Sequence, residues 1–352
     1  MRSAIGTTTV RVRVRYSGTG GSAREHTNRR GPLTFGEYAT EWLANQYDLA
    51  QAELLRANTI CRFESALAVH LLPFFGGIDL DQIDRQRCDA FRTTLFASHQ
   101  LAPRTINGVI AILRLILRRA IQDGAMTAPD PTAGMRPLFA APRRVDCYTS
   151  AELGRLIDMT PGKWRAITAL AGLAGLRQGE ILALRHDDLD VGSRVVRVRR
   201  SLQRSHHLLT LDQRLGPPKS PAASRDVPVR APLATILSEH LGEHWRPNPH
   251  ELAFPGRQGR PLYPANFNRR VYQPAIAAAG LRSLSLHDLR VTFITHCAEA
   301  GVPIATIARW VGHTQTKTTE LYWAATPTAE ANALRLLTEY DASQAVGAEG
   351  PT

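Results

Sequence analysis

The chain has 352 residues, 43% of them hydrophobic, which is enough to give each of two domains a core. Its 43 Lys and Arg against 31 Asp and Glu give a formal charge of +12, suited to a polyanionic partner such as DNA, RNA or an acidic membrane. Cys61, Cys88, Cys147 and Cys297 lie far apart without a CxxC pair, and neither a signal-peptide core nor an apolar run of 18 residues is present, so a disulfide or zinc framework, secretion and a membrane span are all disfavoured.

Residues 1–32 combine the alternating run Val10-Arg11-Val12-Arg13-Val14-Arg15 with glycines and further arginines, which reads as one strand in a flexible basic tail without a core of its own. The tail is either an extra nucleic-acid contact or an ordinary unordered start. From Thr34 the pattern turns helical. Thr34-x-x-Glu37 has the form of a capping box, and Phe35, Tyr38, Ala39, Trp42 and Leu43 share one face. A second helix is predicted over Thr59 to Leu71, ended by Pro73 and Gly76-Gly77; Asp84 caps a third carrying Phe91 and Leu95. Pro103 opens a fourth, whose apolar stripe from Ile106 to Ala120 runs until Gly124. Arg104, Arg114, Arg118 and Arg119 occupy its other faces, and they either are solvated or lie along a phosphate backbone. Residues 33–125 thus predict a four-helix bundle.

Pro129, Pro131, Gly134, Pro137 and Pro142 mark 126–145 as a linker. Beyond it, a helix begins near Ser150, and a mostly apolar one from Lys163 to Ala174 delivers Gly175-Leu176-Arg177. Val195 to Arg200 and Arg225 to Arg230 alternate as paired strands, with Lys219 in the connection between them. Helices return from Pro232.

The chemistry concentrates in four segments. These are Arg177-Gln178-Gly179-Glu180, Lys219, His287-x-x-Arg290, and Gly312-His313 followed nine residues later by Tyr322. Guanidinium forks grip phosphate oxygens, imidazoles move protons near neutral pH, and a phenolic oxygen can accept a phosphoryl group covalently. His287 and Arg290 share a helix face, and Glu180 stands three residues after Arg177, within reach of its guanidinium. Lys219 is one of three lysines, with Lys163 and Lys317, in a chain whose other cations are arginines.

In this order and spacing the set resembles the tyrosine recombinases, or phage integrase family, over roughly residues 33–335. The resemblance implies a mainly α protein with a small antiparallel β-sheet: a helical core-binding, SAM-like domain over 33–125 and an α+β catalytic domain over 146–330. It also implies a C-terminal helix and tail over 331–352, with Leu334, Leu336 and Leu337, that docks on a neighbouring subunit. Arg177 and Arg290 would bind the scissile phosphate, and Glu180 would hold Arg177. His287 would be the general base or a proton relay, and His313 a further contact to the phosphate or nucleophile. Lys219 would protonate the leaving oxygen, and Tyr322 would be the nucleophile. Two departures stand out: Val311 precedes Gly312 where leucine is common in the family, and the connection from Ser201 to Ser224 is long.

The activity implied by the resemblance is site-specific recombination of double-stranded DNA through a 3′-phosphotyrosyl intermediate, with no ATP, metal or other cofactor. The partners implied are specific recombination sites, a homotetramer on paired sites, and accessory bending or directionality factors; no membrane is involved, and the location expected is cytoplasmic, at the nucleoid. A type IB topoisomerase would share the chemistry, and a catalytically silent DNA-binding regulator would share the fold.

Overall fold

A computed structural model describes residues 33–52, 54–99, 101–141, 146–203, 210–218, 221–313, 334–335 and 338–339. The strand expected in the tail, Lys219 and Tyr322 lie outside these residues. Of the C-terminal helix and tail expected over 331–352, Leu334, Arg335, Thr338 and Glu339 are described, and they are helical. The described chain is mainly helical and carries one three-stranded antiparallel sheet. It divides into two compact units, one made of residues up to Trp42 with Ala66–Pro137, the other of Leu43–Ser65 with Leu138 onward.

Helix α1 spans Phe35–Gln51. The capping box forms, with the Glu37 amide donating to Thr34 Oγ1 and the Thr34 amide donating to Glu37 Oε2. Helix α2, Ala57–Ala66, starts two residues earlier than predicted, and the helical run it opens passes Pro73 and ends at Gly76-Gly77. A π-helical turn at Leu67–Leu71 leads into Leu72–Phe75, with Pro73 near its start. An irregular turn there accommodates a residue that lacks an N–H and whose ring would crowd a regular α-turn. Phe75 then stacks edge-on against Phe91 at 4.9 Å and meets Phe35 at 5.7 Å, joining the first unit's segments in one aromatic cluster. Phe91 belongs to α3, Arg85–His99, which Asp84 caps by accepting from the Arg87 amide. Helix α4, Pro103–Gln122, buries the predicted stripe from Ile106 to Ala120.

The arginines of α4 are engaged within the first unit. Arg114 donates to Thr132 Oγ1 and to the carbonyls of Thr132 and Met135, Arg118 pairs with Asp130, and Arg119 pairs with Asp123. Arg104 is exposed. These bonds fold the first part of the expected linker: Met126, Thr132 and Met135 are buried, so the stretch up to Pro137 belongs to the compact unit.

In the second unit, α5 (Ser150–Met159) and α6 (Gly162–Ala174) pack together, and α6 also lies along α11 (Leu286–Glu299). Short helix α7, Gln178–Ile181, follows α6. The sheet has the order β1 (Leu189–Asp190), β2 (Val195–Val198), β3 (Arg225–Pro228), with Val196 opposite Val227 and Val198 opposite Arg225. Strand β1, only two residues long, has no sequence periodicity to announce it. Helices α8 (Ala231–Glu239), α9 (Pro264–Phe267) and α10 (Gln273–Ala278) precede α11; α12, Ile304–Val311, follows it. The core joins Leu170 and Leu176 to Val196, Val227, Phe254 and Leu289. Among the described residues, no helix is long and apolar enough to cross a membrane.

Candidate active site

Two helix ends build the site. Helix α6 closes on Gly175 at φ +66°, and α12 closes on Gly312 at φ +64°, both left-handed. A side chain is costly at either position in this conformation. Space is also short: a Cβ on Gly175 would clash with the Phe293 ring at 2.4 Å, and one on Gly312 would crowd Ala222 O at 3.1 Å. At these two ends the carbonyls that an α-helix leaves without internal partners become acceptors for arginines.

Arg290, on α11 and only 1% exposed, donates through Nη1 to Gly175 O at 2.7 Å and through Nη2 to Val311 O at 2.5 Å. Arg177 donates to the same Val311 carbonyl at 3.3 Å and to Gly312 O at 3.2 Å. Its Nη1 also pairs with Glu180 Oε1 at 2.8 Å, and its amide donates to Oε2 at 2.9 Å. The two guanidiniums predicted to share a ligand therefore converge on the end of α12. Arg177 keeps a side-chain exposure of 37%, so solvent and ligands reach it.

Glu180 is buried. Burial alone would raise its pKa, but hydrogen bonding to Arg225 and the charges of Arg225 and Arg177 outweigh this and hold the carboxyl below its ordinary range. Arg225 was not singled out in the sequence. It opens β3 on the same face as Val227 and Val229, all three buried, so the strand's period of two does place an arginine inward. An inward arginine is a signal that sequence reasoning could have used.

His313 follows Gly312 directly. Burial, then the charges of Arg290, Arg177 and Arg225, then His287, depress its pKa to about 4, so it is a neutral imidazole at pH 7. His287 is exposed on the first turn of α11, which Ser285 and Asp288 cap reciprocally. The structure thus brings Arg177, Glu180, His287, Arg290 and His313 together. His296, assigned no role by the sequence, bonds the Tyr148 carbonyl at 2.9 Å. Among the described residues, no group of three acidic, His or Cys side chains is placed to hold a metal.

Two forked cations, held by helix-end carbonyls beside a neutral imidazole, can grip a phosphate as a guanidinium fork does. Residues 148–328 match the phage integrase family, and residues 34–96 match its N-terminal SAM-like domain, so the chain belongs to the phage integrase family. It is similar to a putative prophage phiRv2 integrase of Mycobacterium tuberculosis, with 28% identity over 79% of this chain and 71% of that one. Its fold resembles that of the Tn1549 transposon integrase in complex with a circular intermediate DNA, at a TM-score of 0.69 and 18% identity, covering 85% of this chain and 99% of that one. It also resembles a lambda integrase tetramer bound to a Holliday junction, at a TM-score of 0.59 and 16% identity, covering 83% and 78%.

Proposed function

We propose that the chain recombines double-stranded DNA at specific sites, with Arg177, Lys219, His287, Arg290, His313 and Tyr322 as its catalytic set and Glu180 as support. The observation that carries this reading is the convergence of Arg177 and Arg290 on the Val311 carbonyl, beside His313. Two guanidiniums on one phosphate stabilise the charge that grows on the equatorial oxygens in the transition state. Tyr322 Oη attacks phosphorus and the bond to the 5′-oxygen breaks. Lys219 gives that oxygen its proton, and a 3′-phosphotyrosyl link remains. The 5′-hydroxyl of a partner strand reverses the steps, so the phosphodiester bond energy is kept. His287, exposed on α11, takes the phenol proton directly or by relay. His313, neutral before DNA arrives, contacts the bound phosphate or the nucleophile.

Residues 33–125 serve as the core-binding domain and 146–330 as the catalytic domain, with 331–352 as a contact to a neighbouring subunit. Arg104 is the freest of the α4 arginines to meet a phosphate backbone; Arg114, Arg118 and Arg119 would have to exchange partners. The Holliday-junction tetramer of lambda integrase supports a homotetramer on paired sites. Accessory bending or directionality factors complete the assembly, which acts on the nucleoid.

The test is covalent capture. The protein is incubated with sheared DNA from the strain carrying its gene, denatured, and the attached strand is sequenced. Attachment through a 3′-phosphate at one recurrent sequence is expected, with Tyr322→Phe binding that sequence but forming no adduct. Normal adduct formation by Tyr322→Phe would remove the nucleophile assignment.

A further inference from the structure

Arg225 is among the few charged residues buried in the second unit, with a side chain 4% exposed. Four hydrogen bonds tie it to fixed acceptors. Nη1 and Nη2 take the two oxygens of Glu180 at 3.1 and 2.9 Å, Nη1 also reaches Ala223 O at 2.9 Å, and Nε reaches Trp310 O at 2.5 Å. Three separate segments meet on this one side chain: the start of β3 just after the connection that carries Lys219, the α7 carboxylate that holds Arg177, and the last turn of α12 before Gly312 and His313. A Cβ on Gly312 would stand 3.1 Å from Arg225 Nη1, so the guanidinium fills the space under that turn.

Glu180 and Arg177 alone make a pair whose cation is over a third exposed, and such pairs hold a long side chain weakly. A carboxylate clamped from behind by a second, bidentate guanidinium has one orientation, and Arg177 inherits it. Resting on the function proposed above, we propose that Arg225 is a positioning residue: through Glu180 it fixes the aim of Arg177, and through Trp310 it fixes the turn that carries His313. Its effect falls on activation of the phosphate, not on protonation of the leaving oxygen. Lysine cannot replace it, because one ammonium on a flexible stem cannot reach both Glu180 oxygens, Ala223 O and Trp310 O together.

The test uses Arg225→Lys in the full chain, on the duplex captured with the wild-type protein. DNA affinity should stay within about twofold, while single-turnover adduct formation falls by about tenfold to a hundredfold, the scale of a misplaced reacting group. A substrate whose 5′-bridging oxygen is sulfur should give no recovery, whereas recovery would move the role to Lys219 and overturn the proposal. In an Arg177→Ala background the same substitution should cost less than in the wild type, because the route through Arg177 is gone and only the one through the α12 turn remains. An equal cost in both backgrounds would leave Arg225 a purely structural role. A readout that needs no DNA is the ¹⁵N spectrum of the arginine side chains. The Arg177 signals, assigned by their loss in Arg177→Ala, should be those of a held guanidinium in the wild type and of a mobile one in Arg225→Lys; unchanged signals would overturn the proposal even if the wild type forms no adduct. If Arg225→Lys does not fold, Glu180→Gln with Arg225→Gln removes both charges and enters the same measurements. Failure of both variants to fold would confine Arg225 to stability and overturn the proposal as well.

Discussion

Gly312→Ala separates the two reasons for a glycine at the end of α12. The residue lies at φ +64°, where a side chain costs about 1–2 kcal/mol. Its new Cβ would also stand 3.1 Å from each of Ala222 O, Ala223 Cα and Arg225 Nη1, and overpacking of this kind costs about 1–3 kcal/mol more. Gly280 offers a matched control: it has φ +63°, and a Cβ there meets nothing within 4 Å. Gly280→Ala should therefore show the backbone cost alone, and Gly312→Ala the sum, a gap of about 1–3 kcal/mol between the two variants. In a unit of this size that gap lowers the melting temperature by a further 2–12 °C or so, readable by calorimetry. Adduct formation should fall as well for Gly312→Ala, because the Gly312 carbonyl accepts from Arg177 Nη2. Equal melting temperatures for the two variants would refute the reasoning from crowding.

Glu180→Ala leaves the Arg225 guanidinium buried without its carboxylate and should cost about 3–5 kcal/mol in urea unfolding; a loss below about 1 kcal/mol would show that the pair is not what holds β3. The depressed pKa of His313 gives a pH signature. Its unfolded form binds a proton below about pH 6.5 and its folded form only below about 4, so its contribution is complete above 6.5 and is lost as pH falls through that window, with a slope of up to about 1.4 kcal/mol per unit. His313→Asn should flatten the stability profile between those limits, and parallel profiles would contradict the assignment. Lys219→Ala and Lys219→Arg should cleave ordinary DNA poorly and recover on a sulfur-bridged strand, since a thiolate leaves without a proton; full activity on ordinary DNA would exclude Lys219 as the acid.

Much of the architecture was legible because local chemistry and tertiary packing agree. The Thr34/Glu37 cap, the stripe of α4 and the facing strands β2 and β3 all stand where short-range periodicity placed them. The effects of distant partners escaped. Pro73 ends a helix by local rules, yet the turn before it goes π-helical and the chain runs on to bury Phe75. The proline-rich stretch after Gly124 reads as a tether, yet Arg114 reaches Thr132 and Met135 and folds it down. In the site, Arg177 and Arg290 announced themselves by spacing, whereas Arg225 is defined by a carboxylate 45 residues away. Its only local trace is an arginine in phase with two valines.

At the end of α12 the acceptors for both guanidiniums are main-chain oxygens of residues 311 and 312, not side chains of that helix. Side chains on that turn can therefore drift in sequence without altering the charge geometry of the cradle, provided the left-handed turn and the packing beneath it persist. A valine at 311 in place of leucine changes the volume filling the core, while the carbonyl that receives Arg177 and Arg290 keeps its place. Such a site tolerates mutation where it packs and resists it where it bends, so Gly312 constrains variation more tightly than its neighbour Val311 does.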